Sequence, residues 1–215
     1  MKTKDRIIQT SIELFNKSGI VAVTTNHIAK ELNISPGNLY FHFANKEEII
    51  RHIFRQMAKE TYELWKTKKG SKLLHPLDLI EKNFELFWRY RFFHREMYYL
   101  RRKDAQLSKL WKAHIAKVLK LMTLMYNRWL RQGWMTPITA GDEVQFLVNV
   151  MLATASTFLQ FFESAERTPA RKHVEEGKRY VARLLIHYTQ GQMRNDFESF
   201  LNAPRNDSGS SAISR

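Results

Sequence analysis

The sequence predicts an all-α protein, and three observations support this class. Glycine and proline are scarce, with eight and five among 215 residues. The long stretches between them repeat apolar residues every three or four positions, which is the helical period. Helix start and stop signals divide these stretches into separate segments. The chain contains no cysteine, which excludes disulfides, thiolate metal sites and cysteine nucleophiles.

The N-terminal pattern predicts a helix over residues 3–18, with Thr3 as its cap and Gly19 as its end. Ile8, Ile12 and Phe15 form one apolar stripe of this helix. The basic N-terminus runs directly into the amphipathic pattern, so we expect no signal peptide. The first helix should support the segment that follows it.

Residues 24–46 predict two short helices joined by a tight turn. Thr25 is the expected N-cap of the first helix, and Asn33 tolerates the left-handed backbone that ends it. Ser35 followed by Pro36 is a helix start, because proline lacks an N–H that the first position does not need. The segment therefore predicts a helix-turn-helix, whose second helix can enter the DNA major groove.

The second short helix has an apolar face and a polar face. Leu39 and Phe43 can pack inward, and Asn38 can pair with adenine through its side-chain amide. The other outward groups can reach phosphate or base edges or allow a close backbone approach, and they are Gly37, Tyr40 and His42. Lys46 opens the next helix beside free backbone N–H groups, with Asn45 and Glu48 as a capping pair. A plain helical hairpin in an all-α protein remains the alternative.

This segment resembles the TetR family of transcriptional regulators. The matching residues keep the family's spacing without a gap, and they are Gly19, Thr24, Thr25, Ile28, Ala29, Leu32, Asn33, Ile34, Ser35, Gly37, Asn38, Leu39, Tyr40, Phe43, Lys46 and Glu47. The resemblance implies a homodimeric repressor with a three-helix DNA-binding head and a C-terminal helical domain that binds a small molecule and dimerises. It implies DNA contacts by Thr25, Ser35, Pro36, Gly37, Asn38, Tyr40, His42 and Lys46.

The chain divides into four predicted parts. Residues 1–46 form the helix-turn-helix domain, residues 47–67 a connecting helix, residues 68–195 the ligand-binding and dimerisation domain, and residues 196–215 a disordered tail. Within the third part, the pattern predicts helices over residues 104–131, 144–162 and 169–192. Thr139 with Asp142 is the expected cap of the second of these. Residues 144–162 are apolar almost all round, which suits burial between a ligand pocket and a subunit interface better than a membrane span, because polar residues interrupt the run.

A helix beginning at Pro76 should carry aromatic residues and two arginines on one face. These residues are Phe84, Phe87, Trp88, Arg91, Phe92 and Arg95. The aromatic residues suit either ordinary core or the lining of a ligand cavity, which Trp65 and Trp111 from two other predicted helices would complete. A buried arginine needs an anion, so the ligand hypothesis favours an amphipathic anionic effector.

The net charge of +14 favours a polyanionic partner. The excess is concentrated outside the helix-turn-helix, because residues 66–128 carry sixteen Lys/Arg and five Asp/Glu. This segment can attract DNA at long range, bind an acidic ligand, or form a solvated basic face.

The sequence therefore predicts a cytoplasmic, homodimeric, ligand-responsive repressor that binds double-stranded DNA at a palindromic operator, with no membrane partner. We expect no enzyme activity, no cofactor and no metal site, because neither a phosphate loop nor a metal-binding histidine spacing is present. A sequence-independent architectural DNA-binding protein is one alternative. A helical small-molecule binding protein or enzyme that uses the aromatic residues is the other.

Overall fold

The computed structural model describes residues 2–66, 72–138, 143–166 and 171–204. Ten helices occupy the described residues: α1 (Thr3–Ser18), α2 (Thr25–Glu31), α3 (Pro36–His42), α4 (Lys46–Trp65), α5 (Pro76–Arg89), α6 (Arg91–Lys103), α7 (Ala105–Arg131), α8 (Glu143–Glu166), α9 (Arg171–Ile186) and α10 (Gly191–Asn202). The prediction of an all-α fold is confirmed.

Two compact units share these helices. The head unit contains residues 1–61 and 89–115, and the body unit contains residues 62–88 and 116–215. The sequence predicts that residues 89–115 belong to the C-terminal domain, whereas in the structure they pack with the N-terminal helices. The reason is aromatic packing, because the buried Phe92 ring lies 5.3 Å from Phe15 and the Phe93 ring lies 5.7 Å from Phe54.

Hydrogen bonds also hold α6 against the end of α1. The Asn16 side chain donates to the carbonyl of Arg89 at 2.8 Å and accepts from the backbone N–H of Phe92 at 3.1 Å. The backbone N–H of Ile20 donates to Glu96 at 2.9 Å. Gly19, between these contacts, has a φ of 78°, a conformation that favours glycine. Since α1 packs behind α2 in the same unit, α6 helps to fix the position of the short helices.

The body unit has its own core around α8 and α9. The rings of Phe84 and Phe158 lie 4.8 Å apart, and Gly177 of α9 lies directly against both. A Cβ atom at position 177 would overlap the Phe84 ring and lie 2.6 Å from Phe158 Cδ2. Lys178, which is 2% exposed, bonds to carboxylates of Glu81 and Glu175. These contacts join α5 to α9.

The chain ends differently from the prediction. Instead of one helix over residues 169–192, α9 ends at Ile186 and α10 begins at Gly191. The helix α10 continues to Asn202, so the prediction of a disordered tail from residue 196 is wrong for its first seven residues. Burial of Met193 and Phe197 explains why this segment is ordered. Residues 205–215 and the predicted cap at Thr139 and Asp142 lie outside the described residues.

The helix α8 has much more apolar surface than the body unit buries. Residues 143–162 have a mean hydropathy of 1.4, long and apolar enough to cross a membrane by length and composition alone. About a third of this stretch is buried in the body unit. Phe146 is 62% exposed and Phe161 67% exposed on the remaining surface. The outward side of α8 is therefore an apolar surface that the described residues of the body unit leave exposed.

Candidate nucleic-acid interface

Local hydrogen bonds define the two short helices. Thr24, rather than the predicted Thr25, caps α2, because its hydroxyl accepts from the His27 backbone N–H at 3.2 Å. Asn33 adopts a φ of 53°, as expected for the turn. The predicted start of α3 is confirmed, since Ser35 accepts from the Asn38 backbone N–H at 3.1 Å and Pro36 is the first helical residue.

The helix α3 buries one face and exposes the other. Leu39 is fully buried and Phe43 is 1% exposed, so both pack inward as predicted. The outward side consists of exposed residues, with His42 half-buried beside them: Ser35, Pro36, Gly37, Asn38, Tyr40 and Phe41. A seven-residue helix with this division presents backbone and side-chain polar groups over a surface that can enter a major groove.

Two of the predicted contact residues touch each other. The hydroxyl of Tyr40 lies 3.0 Å from the hydroxyl of Thr25. This hydrogen bond joins the first residue of α2 to the exposed side of α3. Both hydroxyls keep further hydrogen-bonding capacity toward a phosphate oxygen. The sequence predicted both residues as DNA contacts but did not predict that they are coupled.

Lys46 has a structural role that its sequence position does not predict. Its ammonium donates to the carbonyls of Ile20 and Val23, each at 2.9 Å. These carbonyls belong to the turn before α2, so Lys46 fixes the start of α2 against α4. An ammonium has three donors, which leaves one for a phosphate. Asn45 caps α4 as predicted, and Glu48 accepts from the backbone N–H of Ala44 at 2.7 Å.

The fold itself does not explain the glycine at position 37. Gly37 lies in the first turn of α3 and is exposed. A Cβ atom there would meet Ser35 Oγ at 3.9 Å, an ordinary contact. Glycine inside a helix costs about 0.5–1 kcal/mol relative to alanine. Since the protein leaves room for a side chain, the absence of one suits close approach by a partner.

A histidine supports α3 from behind. The ring of His52 in α4 lies 5.6 Å from the Phe43 ring in an edge-on arrangement. Burial lowers the pKa of His52, and the positive charges of Lys4 and Arg55 lower it further. Asp5 and Glu48 oppose this shift. The lowered pKa favours the neutral form of the His52 imidazole.

The candidate ligand residues do not share one helix face. The predicted continuous helix is interrupted at Tyr90, whose buried hydroxyl donates to Glu60 at 2.9 Å. Phe84, Phe87 and Trp88 belong to α5 in the body unit with Trp65. The other four candidates belong to the head unit, and they are Arg91, Phe92, Arg95 and Trp111. The expectation of a single aromatic face is wrong because the helix breaks at this junction.

The packing of these residues separates core from surface. Phe84 is 1% exposed, and Trp65 donates from its indole N–H to Asn83 at 3.1 Å, so both are core residues. Phe87 and Trp88 are half-buried against the body core. Arg95 donates to the carbonyl of Phe15 at 3.3 Å. A protein acceptor for Arg95 removes part of the reason for an anionic ligand.

Across the described residues, no group of three or more histidine, aspartate or glutamate side chains could hold a metal ion.

The head unit has the architecture of a helix-turn-helix protein, and the second helix of this motif, α3, is exposed. A family model described as "Bacterial regulatory proteins, tetR family" matches residues 7–53. A second model, described as "Bacterial transcriptional repressor", matches residues 54–197. Together they span most of the chain. The chain belongs to the TetR family of bacterial transcriptional regulators, as its sequence resemblance implied.

Individual relatives agree with this assignment. The chain is 39% identical over 69 residues to the regulator QacR of Staphylococcus aureus, covering 32% of this chain and 37% of that protein. It is 46% identical over 48 residues to the negative regulator IcaR of Staphylococcus epidermidis, covering 22% of this chain and 26% of that protein. The chain thus matches well under two thirds of the length of either curated relative.

Solved structures extend the similarity over the whole fold. A TetR-family regulator from Marinobacter aquaeolei is 28% identical, with a TM-score of 0.83 over 94% of this chain and 98% of that one. The ketosteroid regulator KstR2 of Mycobacterium tuberculosis is 18% identical, with a TM-score of 0.64 over 88% and 96% of the two chains. The second likeness concerns the fold alone.

Proposed function

We propose that this protein is a cytoplasmic repressor that binds a palindromic DNA operator as a homodimer and releases it when a small molecule binds. The proposal rests mainly on the structure of α3. Its polar side is exposed, its apolar side is buried, and Gly37 leaves room for a partner. Membership in the TetR family supports the same assignment.

Selection of binding sites from a random pool of duplexes tests this proposal. A repressor should enrich one palindromic consensus and bind it about 10³-fold or more tighter than random duplex. The half-site centres should be separated by about one helical turn or a multiple of it. An architectural DNA-binding protein would enrich nothing, and a helical enzyme or carrier would leave no footprint. The selected consensus can then be located in the source genome to find the regulated genes.

The outward side of α8 supports the homodimer. Phe146 and Phe161 expose apolar surface there, and α9 packs beside α8 in the body unit. A second copy of this chain can cover both helices, because α8 and α9 of the two copies can pack together as a four-helix bundle with two-fold symmetry. A two-fold dimer requires a two-fold operator, which links this surface to the palindrome. Covering by a second copy explains the apolar length of α8 without a membrane.

We propose that the effector is an amphipathic small molecule held by the half-buried aromatic residues of the body unit. Phe87 and Trp88 are candidates for contacts with its apolar part. The guanidinium of Arg171 lies 5.6 Å from the Trp88 ring and pairs with Glu85 at 2.9 Å, and its remaining N–H donors would meet an anionic group. The ligand can regulate only if it prefers one conformation of the protein over another. The helices α4 and α7 each have residues in both units and would carry that difference.

Operator release by matched anionic, neutral and cationic amphiphiles tests the effector class. We expect the anionic compound to release the operator at the lowest concentration and to raise the melting temperature. Trp88→Ala and Arg171→Ala should weaken this response. Arg91→Ala and Arg95→Ala test whether the arginines of the head unit contribute to operator release by the anionic compound. Equal release by all three compounds would exclude an anionic effector and leave the DNA-binding proposal standing.

A further inference from the structure

The end of α6 carries two exposed aromatic side chains beside basic ones. Tyr98 is 66% exposed and Tyr99 is 46% exposed. The Arg102 guanidinium lies 5.9 Å from the Tyr98 ring and donates to its hydroxyl at 3.3 Å. The Lys103 ammonium lies 5.8 Å from the Tyr99 ring. Cation–π contacts of this kind hold the charges over the rings at the surface.

A groove lies between this end of α6, the turn before α2 and the start of α4. Its volume is about 320 Å³, and the whole lining belongs to the head unit. Tyr99 and Lys103 line it together with Val21 and Lys46. Val21 is 70% exposed and lies in the turn before α2. Lys46 is a predicted phosphate contact, so the groove is continuous with the proposed DNA surface.

The charge distribution favours a polyanion at this place. Residues 89–115 carry eight Lys/Arg and two Asp/Glu, and the whole head unit has a net charge of +9 out of +14 for the chain. Two carboxylates line the groove, Glu47 and Asp104. The charge of Asp104 is offset by Arg51, whose guanidinium lies 2.6 Å away, whereas Glu47 is exposed. Much of the basic excess of residues 66–128 therefore belongs to the head unit.

We propose that the end of α6 is a second DNA-binding surface, which contacts the phosphate backbone flanking the operator half-site. The proposal rests on the proposed function, because it extends the surface that α3 begins. Lys103 and Arg102 supply the charge that attracts phosphate. The Tyr99 hydroxyl can donate to a phosphate oxygen. Such contacts carry no base information, so they add affinity without changing the consensus.

The experiment compares two duplexes that contain the selected consensus. The short duplex ends at the consensus, and the long duplex extends it by about one helical turn of arbitrary sequence on each side. Full-length wild type, Lys103→Gln and Arg102→Gln are titrated on both at several salt concentrations. Lys120→Gln is the matched control, since Lys120 is an exposed lysine of α7 in the body unit and its loss changes the net charge equally.

We expect wild type to bind the long duplex more tightly than the short one. Lys103→Gln should reduce this gain and leave short-duplex affinity and the consensus unchanged. On the long duplex, each lost phosphate contact should lower the salt slope by about 0.9, so the change from 50 to 200 mM salt costs the variant about threefold less than wild type. Lys120→Gln should leave the gain intact.

Two results would overturn the second surface. One is that wild type binds the short and the long duplex with equal affinity. The other is that Lys103→Gln and Lys120→Gln change the affinities for the two duplexes equally. Either result leaves the operator function intact, provided that wild type still selects a consensus. Failure of wild type to select any consensus would instead contradict the proposed function.

Discussion

Gly177 is a position where a single methyl group should damage the fold. A Cβ atom there would overlap the Phe84 ring and lie 2.6 Å from Phe158 Cδ2. Overpacking of a filled core costs about 1–3 kcal/mol, so Gly177→Ala should lower the free energy of unfolding by that amount in urea titrations. Adding Phe158→Leu should restore part of the loss. Full stability of Gly177→Ala alone would show that α9 can shift away from the rings.

Gly37→Ala is the opposite case. The added Cβ meets nothing closer than 3.9 Å, so replacing a helical glycine should raise the free energy of unfolding by about 0.5–1 kcal/mol. Operator affinity should nevertheless fall, because the methyl group occupies space that the DNA backbone needs. Thermal unfolding and operator titration of the same preparation measure both effects. Unchanged operator affinity would place Gly37 away from DNA.

Lys46 should contribute to stability as well as to binding. Lys46→Ala removes the donor for the carbonyls of Ile20 and Val23. Hydrogen bonds from a charged group are worth about 1.5–3 kcal/mol, so we expect a loss of stability of that order in denaturant titrations. Binding to operator and to random duplex should weaken about equally. Lys30→Ala, at an exposed position of α2, is the control and should leave the stability unchanged.

At the level of elements, the start of α7 depends on one carboxylate. Asp104 accepts from the backbone N–H groups of Gln106 and Leu107 at 2.9 and 3.0 Å and pairs with Arg51. Burial alone would raise the pKa of Asp104, but the hydrogen bonds from Leu107 and Arg51 outweigh it and lower the pKa. The ionised carboxylate is therefore the form that the folded state favours.

Two variants separate the cap from the ion pair. Asp104→Asn keeps an acceptor for the cap but loses the charge, and should cost about 1–3 kcal/mol. Asp104→Ala loses the cap as well, which should add about 0.5–2 kcal/mol. Because the folded pKa is lowered, wild type should keep this contribution at neutral pH and lose it as the pH falls below about 3.9. Urea titrations from pH 7 to pH 3 measure it, and a pH-independent difference between wild type and Asp104→Asn would contradict this account.

The local structure of the head could be predicted from neighbouring residues, whereas contacts between residues far apart in the sequence could not. The roles of Ser35, Pro36 and Asn33 depend only on residues a few positions away, so they could be inferred from the adjacent sequence. The partners of Lys46 lie 23 and 26 residues away, which no local pattern reveals. The break at Tyr90 was missed for the same reason, since Glu60, which accepts from the Tyr90 hydroxyl, lies on α4. The continuation of α10 depends on burial of Phe197, which is a tertiary effect.

For the molecule as a whole, α8 and α9 should determine the oligomeric state. Leu184 is a half-buried residue of α9. Charged residues on the proposed interface, Phe146→Lys in α8 or Leu184→Glu in α9, should give monomers that remain helical but bind the operator weakly. The reason is that a charge buried without a partner is strongly unfavourable at an apolar interface. Analytical ultracentrifugation and circular dichroism measure assembly and folding separately. A variant that remains dimeric at micromolar concentration would place the interface elsewhere.

The head unit is built from two stretches of chain with residues 62–88 between them, and this affects how the protein can be recombined. A chimera made by joining residues 1–61 to a foreign effector domain would leave Phe15 and Phe54 without their ring partners Phe92 and Phe93. Such a graft should be insoluble or misfolded even though its helix-turn-helix is complete. A transferable head must include residues 89–115, so sensor engineering with this protein requires three crossover points instead of one.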